Sequence, residues 1–324
     1  MILTEITAPI QKDLNRVEHA IAQTLKTDNL FIQQMVDYLS HSTGKRIRPA
    51  LAILSAKYCG NLPDETITLG AALEMIHVAT LIHDDIIDNS AVRRKQKTLN
   101  FKWGNEISVL MGDYVFASSF YLMAKSLSKP VLSTLADTTN IICRGEISET
   151  FNRFNVAMAE SQYLEVIKEK TASLFAASCQ TGAMLAKGDD LTVNRLYRFG
   201  MGVGMAFQII DDTLDFTGKQ SRVGKPVMSD LREGKLTLPV IHCLNNCASA
   251  EKKRLKAMIL KKVKTNGDLK WLMTLLKKNN SIEYSLKKAR FFVEDAKNAL
   301  YQLNGNRDKN DLLQFADFLI DRDF

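Results

Sequence analysis

Two short acidic runs set in apolar sequence are the parts of this 324-residue chain best suited to chemistry: "ATLIHDDIID", ending at Asp88, and "AFQIIDDTLD", ending at Asp215. On a helix, residues four apart share a face, so Asp84 and Asp88 project together while Asp85 is turned about 100° away. The same spacing sets Asp211 with Asp215 and takes Asp212 off the line. Like charges so close repel and raise one another's pKa unless a hard cation lies between them. Mg²⁺ suits such oxygens; it keeps several waters and is completed by substrate phosphates, so the acidic runs predict a phosphorylated ligand.

Cations for that ligand are spread along the chain. Lys45 and Arg48 in "GKRIRP", the pair Arg93 and Arg94, Lys170 in "KEKTA", Lys225 in "GKP" and Lys235 in "EGK" stand beside Gly, Thr or Pro, outside any i, i+4 ion-pair pattern. Arginine offers a planar fork and lysine a point charge, and a diphosphate takes both. His77 precedes Asp84 by two helical turns, about 20° off its face, and is read as a hydrogen-bond donor to the same ligand. His83 is read as structural. A lone acidic pair or histidine is more simply a surface or packing feature; two acidic runs within apolar sequence are not, because buried charges require partners or metal.

The elements that must position these residues are helical. Only six prolines interrupt the chain, and residues 64 to 88 place Leu69, Leu73, Ile76 and Thr80 at helical spacing. No convincing strand run appears. "GKRIRP" reads as a loop leading into a helix, and residues 217 to 235 as the main irregular stretch. The apolar region from Ile107 to Ala124 is broken by Asp113 and serines and reads as a buried core helix, short of the ~20 apolar residues that span a bilayer. With 46% hydrophobic and 24% charged residues the chain is globular rather than disordered. Its net charge of +7 favours anionic partners without choosing among them. The lysine-rich last third reads as solvated faces of amphipathic helices and lacks the interleaved aromatics of a nucleic-acid site, so no nucleic acid is expected. Five scattered cysteines imply reduced thiols. With no signal-peptide pattern at the N-terminus, they point to the cytoplasm.

Together these motifs resemble the trans-isoprenyl diphosphate synthases, or polyprenyl synthetases. The resemblance runs from "GKRIRP" through "LIHDDIID", the arginine pair, "RGEISE", "KTA", "FQIIDDTLDF", "GKP" and "DLREGKLTLPV" to "DRDF". It implies a single all-α domain over residues 1–324 with the isoprenoid synthase fold, long helices around a deep central cavity, usually as a homodimer. It implies an allylic diphosphate that ionises with Mg²⁺ assistance and is attacked by isopentenyl diphosphate, the released diphosphate taking the proton. By position, Asp84, Asp88 and Asp211 hold metal, and Arg93, Lys170, Thr171, Gln208, Lys225 and Lys235 contact the allylic substrate. Lys45, Arg48, His77 and Arg94 hold isopentenyl diphosphate. The catalytic set is then Asp84, Asp88, Arg93, Lys170, Asp211 and Lys225.

The sequence departs from the family pattern at three places: "KQKT" replaces Gly-x-Pro-Thr after the arginine pair, Asn89 replaces an aspartate, and Glu149 a glutamine. In the family the positions of Ala79 and Thr80 border the tunnel floor. Both are small, so the expected product is a hexaprenyl to octaprenyl diphosphate for quinone side chains, with Ile76, Phe116 and Phe120 as candidates for the deeper floor. The alternatives are a geranylgeranyl or farnesyl diphosphate synthase, a class I terpene cyclase and a non-catalytic synthase subunit. A requirement for a small partner subunit is open, and membrane contact is expected to be at most peripheral, for product release.

Overall fold

The computed structural model describes residues 3–40, 44–94, 96–217, 228–261, 263–303 and 308–320. Lys225, in "GKP", and the final "DRDF" therefore lie outside the described residues. In chain order the helices are α1 (Leu3–Thr7), α2 (Gln11–Leu25), α3 (Leu30–Ser40), α4 (Ile47–Tyr58), α5 (Glu65–Ile87), α6 (Leu99–Trp103), α7 (Asn105–Ser126), α8 (Lys129–Phe151), α9 (Glu160–Ile167), α10 (Ser173–Leu185), α11 (Asp190–Thr217), α12 (Ser229–Arg232), α13 (Leu238–Asn246), α14 (Ser249–Leu260), α15 (Asn266–Lys278), α16 (Ser281–Tyr301) and α17 (Asp308–Ile320). The fold is all-α, as the sequence predicts.

One small exception corrects that reading. The arginine pair opens a two-stranded antiparallel ribbon, β1 (Val92–Arg93) and β2 (Gln96–Lys97), in which Arg93 pairs with Gln96. Two-residue strands leave no alternating pattern to detect. The ribbon is closed at its base by Thr98, whose N–H donates to Ala91 O and whose hydroxyl donates to Ser90 O.

α5 is the central element, packed along α7, α4, α2 and α10, while α10 and α16 flank α11. Its end is set by a left-handed residue, Asn89 at φ 49°. The Asn89 N–H bonds Ile86 O and the Ser90 N–H bonds Asp85 O, the pattern that satisfies the last carbonyls of a helix. Asparagine tolerates this conformation better than most residues, which gives position 89 a backbone reason for its side chain. Asp88 becomes the capping residue of α5.

α5 and α7 are long and apolar enough to cross a membrane, but 67% of the most apolar window of α5 is buried within the fold. α7 differs from its reading as a buried helix, with only 33% of its window buried. Met111, Val115, Ser119 and Met123 face inward at helical spacing, while Val109, Leu110 and Tyr121 stand exposed on the other side.

Candidate active site

Both acidic runs open onto one cavity of about 1510 Å³, larger than the ~300–1,000 Å³ usual for small-molecule sites. Its lining comes from α4, α5, α8, α9, α11, α12 and the arginine ribbon. Asp84 and Asp88 face it from α5, and Asp211, Asp212 and Asp215 from α11.

The acids at the end of α5 are met by lysines from two other segments. Lys170 Nζ lies 2.5 Å from Glu146, 2.7 Å from Glu149 and 3.8 Å from Asp84. Lys235 Nζ lies 2.7 Å from Asp88, 3.1 Å from Glu233 and 3.6 Å from Glu149. Burial opposes the charge of both lysines, but the surrounding carboxylates outweigh it and both pKa values are raised. Asp84 is shifted the other way from Asp88. Burial raises its pKa, with Lys170 opposing, whereas Lys235, Lys170 and Arg153 overcome the burial of Asp88 and lower its pKa. Burial, with Asp84 close by, pushes Glu146 up to about 7.

Lys170 reaches this position through an unusual turn. Residues Lys168–Ala172 form a π-helical turn between α9 and α10, a widened turn common at functional sites. It presents Lys170 and Thr171 to the cavity while Glu169 is buried against Arg144. α8 crosses the turn at Gly145, where a Cβ would stand 2.5 Å from the Lys170 nitrogen, so only glycine allows this approach.

The second acidic wall is more tightly bonded. The Thr171 hydroxyl donates to Gln208 Oε1, Gln208 Nε2 donates to Asp212 at 2.7 Å, and the Tyr163 hydroxyl donates to Asp212 at 2.6 Å. Burial pushes the carboxyl of Asp212 well above its usual range, with Asp230 adding to the shift. Asp215 accepts from the Ser229 N–H and hydroxyl and from the Asp230 N–H. It thereby anchors the start of α12, although it also lines the cavity.

The same cavity is lined by the cations Lys45, Arg48 and Arg94 and by His77 and Glu74. Arg48 is buried with its guanidinium carbon 4.8 Å from the ring centroid of Phe175, and its Nε has no hydrogen-bond partner among the described residues. Burial, eased by Glu74, lowers its pKa to about 10. Burial and then Arg48 and Arg94 hold His77 well below its usual pKa, so at neutral pH it is an uncharged imidazole. The loop carrying Lys45 into α4 is tied down by Arg46, which pairs with Glu18 and, at 2.6 Å, with buried Glu74.

One sequence reading gains a partner here and another changes. Arg93, expected on the allylic substrate, also lines the cavity but pairs with Asp85 at 2.9 Å. The off-line aspartate thus positions an arginine. Thr80 lines the cavity and Ala79 does not. Ala79 is fully buried in the apolar cluster with Met75, Met111 and Val115, because adjacent helical residues point about 100° apart. The Thr80 hydroxyl donates to His77 O, leaving a small wall with no unmet polar need. Ile142 also lines the cavity and belongs to an apolar cluster with Ile76, Leu135, Phe116 and Phe120. His83 turns to α7, 3.3 Å from Asp113.

Sequence reasoning missed Glu146, Arg153 and Glu74. The i, i+3 acids of "GEISE" signalled a shared face on α8, and Glu74 is an isolated acid in apolar α5. Arg153 carried no signal; its Nη2 donates to Asp88 Oδ1 at 2.6 Å. Among the described residues no group of three or more His, Cys, Asp or Glu side chains is drawn together tightly enough to hold a metal ion by itself; lysines and arginines lie among the carboxylates instead.

An all-helical bundle enclosing two acidic walls and cations has the isoprenoid synthase fold. The family model for polyprenyl synthetase matches residues 29–276. The chain is 32% identical to octaprenyl diphosphate synthase of Haemophilus influenzae over 100% of its own length and 98% of that protein. It is 35% identical to heptaprenyl diphosphate synthase component 2 of Bacillus subtilis over 97% of this chain and 89% of that one. The crystal structure of a polyprenyl synthase from Caulobacter crescentus, complexed with calcium and isoprenyl diphosphate, superposes with a TM-score of 0.94 at 32% identity, covering 99% of this chain and 98% of that one. The chain belongs to the polyprenyl synthetase family and is a prenyltransferase.

Proposed function

We propose that this enzyme condenses isopentenyl diphosphate with an allylic diphosphate, stepwise, to a hexaprenyl to octaprenyl diphosphate of the kind attached to quinones. The observation that carries this reading is the convergence of both acidic runs with Lys45, Arg48, Arg93, Arg94, Lys170 and Lys235 on one cavity, whose lining also includes Thr80 and Ile142. One diphosphate fits beside Lys170, Thr171, Gln208 and Lys235; a second fits beside Lys45, Arg48, His77 and Arg94. The second site has no use in a terpene cyclase.

Mg²⁺ fits the first site. The carboxylates of Asp84, Asp88 and Asp211 are hard oxygen donors, and burial raises the pKa of Asp84 even with Lys170 beside it, which supports a further cation there. When bound, the ion supplies Lewis-acid stabilisation of the leaving diphosphate. Lys170 and Lys235 stabilise the same developing charge from the protein side. Arg93, held by Asp85, orients the allylic diphosphate, and Lys225 is assigned here by resemblance. Neutral His77 donates to isopentenyl diphosphate without adding charge. The apolar walls keep water from the allylic cation, and the released diphosphate accepts the proton lost after bond formation.

We propose a cytoplasmic homodimer of single-domain subunits. The five unpaired cysteines support the compartment, and the exposed apolar face of α7 supports the dimer. The test incubates the purified chain with farnesyl diphosphate, radiolabelled isopentenyl diphosphate and Mg²⁺, and measures product length by mass spectrometry. Hexaprenyl to octaprenyl products are expected; farnesyl or geranylgeranyl diphosphate as the end product overturns the length assignment. The Bacillus relative, named a component 2, favours a second reading in which the chain extends only with a partner subunit. Inactivity of the pure chain that is relieved by cell extract supports it.

A further inference from the structure

The two oxygens of Asp88 are held by two cations from different segments: Oδ2 by Lys235 at 2.7 Å and Oδ1 by Arg153 at 2.6 Å. Those segments are clamped together. The Phe154 N–H donates to Gly234 O at 2.7 Å, with Phe154 left-handed at φ 60° and Gly234 at φ 84°. A Cβ on Gly234 would stand 2.6 Å from the Phe154 ring, so the two backbones meet only because residue 234 is glycine. Arg153 also reaches Ile87 O at 3.5 Å, at the negative end of α5.

The two cations are not equivalent. Lys235 has Glu233 and Glu149 as further partners. Asp88 is the acidic partner of Arg153 among the described residues, and Arg153 Nε is buried without a hydrogen bond there. If Asp88 is drawn to another cation, Lys235 keeps Glu233 and Glu149 while Arg153 loses its carboxylate partner and keeps only the long contact to Ile87 O. A guanidinium so released matches a diphosphate in charge and planarity.

We propose that Arg153 serves the active site in two positions: it holds Asp88 in competition with the divalent cation, and it passes to the allylic diphosphate once that cation is bound. This rests on the functional reading above. The test compares the wild type with Arg153→Met by Mn²⁺ titration followed by electron paramagnetic resonance, without substrate, and by steady-state KM for farnesyl diphosphate at saturating Mg²⁺. Removing the competitor is expected to tighten Mn²⁺ binding by about tenfold, or about 1.4 kcal/mol, while the KM for farnesyl diphosphate rises by a similar factor. A merely structural role moves both in the same, weaker direction. Unchanged or weaker Mn²⁺ binding overturns the proposal, and so does an unchanged KM. Arg153→Lys, which keeps the charge and loses the fork, is expected to restore wild-type Mn²⁺ binding but not the KM; it also serves if the methionine variant does not fold. A wild type that binds Mn²⁺ but does not extend farnesyl diphosphate, with or without cell extract, overturns the functional reading instead.

Discussion

At the scale of single residues, the site sorts its acids by what surrounds them. Asp84 and Asp88 face the same cavity, yet burial raises the pKa of one while cations lower that of the other. Asp84→Ala is expected to lower kcat/KM by about a hundredfold or more, as the loss of a preorganised charge-stabilising group does; steady-state kinetics with farnesyl diphosphate check this. His77 gives a pH prediction. Its folded pKa lies below 6.5 because of burial and then Arg48 and Arg94, with Arg93 and Arg46 adding to them. The unfolded chain therefore takes up the proton first, and the stability contributed by neutral His77 is present above pH ~6.5 and lost as pH falls below it. Thermal melts from pH 7.5 to 5 are expected to show the wild type losing more stability than His77→Gln; parallel curves would remove His77 from the acid sensitivity. The acids and most cations were legible in the sequence because each carries a local signature. Arg153 was not, since its meaning depends on α8 ending beside α5, and no spacing within one segment encodes that.

Elements decide which residue of an adjacent pair matters. The family position preceding Asp84 by five residues, Ala79, looks into the α5–α7 contact, and the next, Thr80, looks into the cavity. Thr80→Phe is expected to shorten the product to geranylgeranyl or farnesyl diphosphate with little loss of stability. Ala79→Phe is expected to lower stability by ~1–3 kcal/mol through overpacking against Met111 and Val115, with a smaller effect on length; chemical denaturation and product mass spectrometry separate the two. Sequence alone could not divide these roles, because both residues are small and both flank the same motif. The ribbon around Arg94 was hidden for a related reason: two-residue strands and a turn without Asn-Gly leave no signal. The ends of α5 were better marked, by Pro63 and Asp64 before it and by the polar "DNS" after it.

For the whole molecule, length, helix content and the order of motifs were readable from composition and spacing, but surfaces were not. α7 read as a core helix, yet its Val109, Leu110 and Tyr121 are solvent-facing in one chain. Burying such side chains is favourable by ~1.5–3 kcal/mol each when fully covered. The double substitution Leu110→Lys with Tyr121→Glu is therefore expected to shift a dimer to monomer in sedimentation velocity, with the far-UV circular dichroism unchanged. A dimer that survives the double change would place the interface elsewhere.

The π-helical turn at Lys168–Ala172 makes this enzyme sensitive to the number of residues in the turn as well as to their identity. Deleting Lys168 would leave every recognisable motif readable and would let the turn relax to ordinary helical winding, rotating Lys170 by about 100° away from Asp84. Such a deletant is expected to keep its helical spectrum and lose affinity for the allylic diphosphate. A single missing codon there would be invisible to motif matching, although it would silence the enzyme.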